Sequence, residues 1–256
     1  MQLYISQFAD TTLLDPTLLP TDVNYLNKID YYVEYSLMSL SATSSSAAFT
    51  MNVIQPDLDN AAALHCDKWI EGTGSHMSLY AGSSSKPKII HPTDTRLINK
   101  YYFAKNRNYS GDVSGLIGEA LFSLVLRQIF DLNDIDFAHF GASTTTGIYP
   151  DFGITRISSK LGKSFLSAFH QNGVSVQKAL LSHLDILPAE VKALASPDKE
   201  SLKARIHKAV QQIRNFWKRR SSSNKSQTLT RGPSIIFLAI RNSDRMEYNG
   251  VIIWMI

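Results

Sequence analysis

Three acids and one lysine have the types and the spacing to do chemistry together. Asp151 follows Pro150 in GIYPDFGIT, and Glu190 and Lys192 stand two apart in LPAEVKALA. Residues two apart on a strand leave it on the same face, so Val191 and Ala193 point the other way. Glu119 is a lone acid among Leu116, Ile117, Ala120, Leu121 and Phe122. Hard divalent cations take carboxylate oxygens converging from separate elements. A lysine beside such a cation can orient or help deprotonate a water, or offset charge on a pentavalent phosphorane. Without a cation nearby, burying these acids together would be costly. Each residue also has an ordinary alternative. Glu190 and Lys192 could form an exposed ion pair on an edge strand, worth little. Asp151 could be a turn residue, and Glu119 a capping or pairing group.

The elements that must position these residues are legible in the second half of the chain. Leu116–Leu132 is apolar almost all round and reads as a buried helix, with Asp112 or Ser114 as its N-cap. Phe137–Phe140 and Gly147–Thr155 read as strands, and Pro150 suits an edge, a bulge or a strand's first turn. Leu187–Ala195 is a third strand. Ser201–Arg219 is an amphipathic helix with the stripe Leu202, Ile206, Ala209/Val210, Ile213, Phe216/Trp217. Pro233–Ile240 is apolar on both faces, as a covered central strand should be, and Tyr248–Ile256 is a further strand. Between Arg156 and Ile186 lies an insertion with short helices expected at Phe165–Phe169 and Val174–Leu181. This order predicts an α/β (α+β) mixed sheet with helices packed on it. Upstream, residues 1–105 read as mixed or β-rich. Tyr31–Leu37 and Leu79–Ala81 have strand-like composition, and Ser41–Ala48 looks like a loop. The turn-rich stretch Asn106–Gly111 marks the expected boundary between an N-terminal region and a 106–256 domain.

Composition narrows the class. The chain has 256 residues, 44% apolar and 19% charged, which supports a core and excludes global disorder. One cysteine, Cys66, excludes an internal disulfide framework and a Cys-based zinc site. No apolar run is long enough to span a bilayer, and MQLYISQFAD shows no secretory signature. A cytoplasmic protein with no membrane partner is the expectation. His65 and His76 near Cys66 fit no zinc spacing, and Gly72–Ser75 lacks the flanking pattern of a phosphate loop.

Pro150-Asp151, Glu190-Val191-Lys192 and Gly118-Glu119-Ala120, in this order and context, resemble the PD-(D/E)xK superfamily of restriction-endonuclease-like nucleases. The resemblance covers roughly residues 112–256. That family's core runs helix, three strands, helix, strand. It carries a glutamate in the first helix, an aspartate at the second strand and Glu-x-Lys on the third. The resemblance implies a metal-dependent nuclease, most readily a DNA endonuclease of restriction or anti-phage defence. Asp151, Glu190, Lys192 and Glu119 would be catalytic. Asp151, Glu190 and Glu119 would hold Mg2+, with Mn2+ as a substitute. Two departures stand out. A glutamine precedes a tyrosine by four residues in one branch of the family, but Gln212 here precedes Phe216. Asp151 and Glu190 are also 39 residues apart, which requires the insertion and leaves Asp185 as the fallback acid.

The net charge of +4 is only mildly basic, but its distribution is uneven. Nine basic residues and no acid lie between Lys203 and Arg231, whereas residues 1–60 hold seven acids and one lysine. Lys203, Arg214 and Lys218, with Gln211 and Gln212, are the expected nucleic-acid contacts, and the Ser/Asn-rich segment after the helix could wrap a backbone. The acidic N-terminal region is expected to be a separate module, regulatory or docking a protein partner, in a chain that could oligomerise. The alternative to a nuclease is a non-catalytic nucleic-acid-binding or protein-interaction module on the same fold.

Overall fold

The computed structural model describes residues 2–54, 56–58, 60–61, 110–139, 150–182, 184–194, 198–223, 231–242 and 247–256. The expectations for Leu79–Ala81, for His65, Cys66 and His76, for Gly72–Ser75, for 106–109 and for 224–230 lie outside the described residues. In chain order the described elements are β1 (Gln2–Asp10), α1 (Val23–Met38), β2 (Phe49–Asn52), α2 (Ser110–Gln128), β3 (Phe137–His139), β4 (Phe152–Ile154), α3 (Ser159–Gln171), the single turn α4 (Ala179–Ser182), β5 (Leu187–Leu194), α5 (Lys199–Ser223), β6 (Ser234–Asn242) and β7 (Glu247–Met255).

The seven strands form one mixed sheet in the order β2-β1-β7-β6-β5-β4-β3. The β3-β4-β5 meander is antiparallel, β5 and β6 are parallel across the α5 crossover, β6 and β7 are antiparallel, and β7 pairs β1 in parallel. Alternation along the central strands sorts the core into two layers. Ala189, Val191 and Ala193 of β5, Ile235 and Phe237 of β6, and Ile252 and Trp254 of β7 face α2 and α3. Leu194, Ile236, Leu238, Ile240, Val251 and Ile253 face α1 and α5. Helices thus cover both sides of the sheet, which explains why β6 reads as continuously apolar. No described helix is long and apolar enough to cross a membrane.

Two expectations about the first half change. Tyr31–Leu37 is not a strand; it lies in α1. The buried residues Tyr25, Ile29, Tyr32, Val33 and Ser36 recur at helical spacing and pack on α5. Aromatic and β-branched composition suggested a strand, and the 3.6-residue period of burial against a second helix prevails over it. The N-terminal region is also not separate. β1 registers with β7 from Tyr4↔Asn249 to Asp10↔Met255, and Leu3 and Ile5 are fully buried in the shared core. The sheet that carries β5 therefore continues through residues 2–52. Leu187–Leu194 and the strands β6 and β7 follow the expected pattern to within a few residues. In contrast, α3 begins six residues before the expected Phe165, and the helix expected at Val174–Leu181 shrinks to the single turn Ala179–Ser182. α2 begins at Ser110, so Asp112 and Ser114 lie inside it and not at its N-cap.

Candidate active site

Register brings Asp151 to Glu190. The pairing Phe152↔Ala189 places the residue just before β4 opposite the next residue of β5. There the β4 ladder ends, and side chains replace it. The Asp151 N–H donates to Glu190 Oε2 at 3.1 Å, and the Val191 N–H donates to Asp151 Oδ2 at 2.8 Å. The 39-residue gap is absorbed by α3 and α4, so the insertion leaves the hairpin intact. Asp185, the fallback acid, instead accepts from Arg220 Nη2 at 2.6 Å.

Glu190 and Lys192 leave β5 on the α5 side, beside Ile236 and Leu238 across the strand pair. The Lys192 ammonium donates to Glu190 Oε1. It also lies 3.2 Å from the Val191 carbonyl oxygen and 3.9 Å from Asp151 Oδ2. Glu190 has no solvent-accessible surface and Lys192 is 8% exposed, whereas the Asp151 side chain keeps 22%. These positions answer the ordinary alternatives. Glu190 and Lys192 are both buried although the β4 ladder has ended beside them, so they are not an exposed edge pair. Asp151 accepts from a backbone 40 residues away and not from its own turn. Burial, and next the charge of Asp151, push the Glu190 carboxyl well above the ordinary carboxylate range, with Lys192 pulling it back down.

The donor set fits a hard cation. Two carboxylates and one carbonyl oxygen converge on a single positive group, and oxygen ligands of this kind suit Mg2+ or Mn2+. With two acids against one lysine, the cluster also stays electrostatically short of positive charge if both are ionised. Val191 O is a contributor that sequence reasoning missed, because a backbone carbonyl carries no residue signal. Glu119 is placed differently. It rides on α2, which covers the opposite face of β5 so tightly that a Cβ on Gly118 would meet Ala193 Cβ at 2.7 Å. Among the described residues, no three His, Cys, Asp or Glu side chains gather as a metal-holding group. The structure thus joins Asp151, Glu190 and Lys192, and leaves Glu119 outside that cluster.

The basic helix is partly occupied by the acidic N-terminal segment. Lys203 pairs with Asp30 at 2.6 Å and Lys199 with Glu34 at 3.5 Å. Arg214 does not face outward for phosphates. Its Nε, Nη1 and Nη2 donate to the carbonyls of Leu13, Leu18 and Asp15, and its guanidinium sits over the Tyr25 ring. Gln211 Nε2 lies 2.8 Å from His207 Nε2, whose Nδ1 lies 3.2 Å from the Tyr25 hydroxyl. Gln212 is buried, and Lys218 is exposed on the rim of a cleft with Pro16, Pro20 and Asn215. The charge asymmetry seen in the sequence is thus realised as a packed α1–α5 contact. Comparison of the chain with family models, curated proteins and solved structures found no match in any of the three.

Proposed function

We propose that this chain is a divalent-metal-dependent phosphodiesterase, acting on DNA as an endonuclease of the kind used in restriction or phage defence. The observation that carries the reading is the reciprocal Asp151–Glu190 pairing with the Lys192 ammonium locked beside it. The element order supports it. α2, β3, β4, β5, α5 and β6 run helix, three strands, helix, strand, with the acid at the second strand and Glu-x-Lys on the third. Apart from α3 and α4, which come between β4 and β5, this order resembles the restriction-endonuclease-like arrangement.

In this reading Asp151 and Glu190 hold the ion, with the Val191 carbonyl available as a third oxygen. Mg2+ supplies Lewis acidity, acidifying water and drawing charge from a phosphoryl oxygen. The chain's own residues do the rest. Hydrogen bonds from Asp151 N and Val191 N fix the two carboxylates, so neither must reorganise when charge develops. Lys192 brings a positive charge within reach of the attacking water and of the phosphorane. The hydrophobic layer of Ile236 and Leu238 lowers the local dielectric and strengthens each of these interactions.

The test is plasmid incubation with Mg2+ or Mn2+, comparing the wild type with Asp151→Asn. The substitution keeps an oxygen for the Val191 N–H and removes the charge. Nicked and linear products should form with the wild type and fall roughly a hundredfold to a thousandfold with the variant, the scale of losing a central electrostatic group. No cleavage with either ion, or cleavage that survives Asp151→Asn, would overturn the reading. The second reading is a non-catalytic binding module, favoured by one observation: Glu190 and Lys192 already satisfy each other. Duplex binding without cleavage, unaffected by Asp151→Asn, is its signature.

A further inference from the structure

The Lys192 ammonium occupies the point on which the site's oxygens converge. It pairs with Glu190 Oε1 and lies 3.2 Å from Val191 O and 3.9 Å from Asp151 Oδ2. No other described cation is paired with either acid. An ammonium is a compact point charge on a flexible four-carbon stem, so it can retract without moving the strand. A divalent ion taking these oxygens would meet the ammonium at close range, where like charges repel strongly outside bulk water.

We infer that Lys192 is the resident counter-cation of the metal-free protein and competes with the divalent ion for the oxygens of Asp151 and Glu190. The inference rests on the reading of those two acids as a metal site. Its consequence runs against intuition. A lysine that merely props the site would weaken metal binding when removed. One that acts only on water or phosphate would leave metal binding unchanged. A competing lysine, when removed, tightens it. Lys192 then couples metal arrival to its own release. Once released, its ammonium is free to turn toward the substrate phosphate, which makes it a positioning residue for metal and substrate in turn.

The test is Mn2+ titration of the full-length protein by calorimetry at fixed pH and ionic strength, without nucleic acid. Wild type, Lys192→Met, Lys192→Gln and Asp151→Asn are compared, with circular dichroism as the check on folding. Lys192→Met and Lys192→Gln should bind Mn2+ roughly tenfold more tightly than wild type, a modest share of the interaction between charges a few ångströms apart. Equal or weaker binding by the folded variants would overturn the inference. Should neither variant fold, acylation of lysines in the wild type gives the answer by mass spectrometry. Labelling of Lys192 should rise several-fold at saturating Mn2+, and unchanged or reduced labelling would count against release. If the wild type shows no Mn2+ binding that Asp151→Asn removes, the metal-site reading itself fails, and the inference falls with it.

Discussion

Glu190 and Lys192 stand where the fold would accept aliphatic side chains. Their cross-strand partners are Ile236 and Leu238, and the next residue on their face is Leu194. A buried ion pair in such surroundings is a poor source of stability, because desolvating two charges offsets most of their attraction. Breaking it is another matter, since one partner is left unpaired. Lys192→Met alone should therefore destabilise the fold by about 1–3 kcal/mol, moderated by protonation of Glu190. The double substitution Glu190→Leu/Lys192→Met should lie within about 1 kcal/mol of wild type or above it, while cleavage is lost. Urea unfolding of the three proteins checks this, and a double variant less stable than Lys192→Met alone would mean the pair is there for the fold. At this scale the sequence was informative because PD and E-x-K are written in side chains. The meeting of Asp151 with Glu190 was less legible, since it depends on register across a 39-residue gap. Val191 O was invisible.

Element packing decides how α2 sits behind that strand. Gly118 lies inside a helix, where alanine would ordinarily gain about 1 kcal/mol in propensity. Here the new methyl would lie 2.7 Å from Ala193 Cβ and 3.3 Å from Val191 Cγ1. A Cβ fixed to a central strand cannot rotate away, so the helix must shift, and overpacking of this kind costs about 1–3 kcal/mol. Gly118→Ala should therefore be net destabilising, and Ala193→Gly added to it should recover part of the loss. Thermal unfolding of the single and double variants reads both, and a neutral or stabilising Gly118→Ala would show that α2 has slack. This glycine was visible in the sequence but its neighbour was not. The buried helix, the basic helix and the central strands were legible because each carries a period that one environment explains. α1 was not: Tyr31, Tyr32, Val33 and Tyr35 weigh toward strand by composition, and only the partner helix α5 reveals which period counts.

For the whole molecule, the charge asymmetry between the chain's ends becomes a division of labour along one helix. Of the basic residues from 203 to 231, Lys203 is paired with Asp30, Arg220 with Asp185 and Arg231 with Asp15. Arg214 is tied to three backbone carbonyls. Arg205, Lys208 and Lys218 remain exposed, with no ion-pair partner among the described residues. On a 3.6-residue helix Lys208 and Lys218 fall about 140° from the centre of the Leu202/Ile206/Ile213 stripe and Arg205 about 80° from it, on its flank, so the three mark the exposed side of the helix over roughly 20 Å at 1.5 Å per residue. A phosphate backbone would meet this side first. Arg205→Ala/Lys208→Ala/Lys218→Ala should lower the log–log salt slope of duplex binding by up to about 2.7, at roughly 0.9 per phosphate contact, uniformly across sequences. The triple variant should unfold like wild type, since solvated charges contribute little to the fold. Arg214→Ala should behave in the opposite way. It should cost about 2–3 kcal/mol of stability, because three carbonyls lose a charged donor, and should leave the slope unchanged while folded. Binding is measured across a salt series in Ca2+ to suppress cleavage, with urea unfolding alongside. If the triple variant keeps the wild-type slope, α5 is a solvated face, and the duplex must be held elsewhere, with Lys163 and Lys178 of the 156–186 insertion as the next cations to remove.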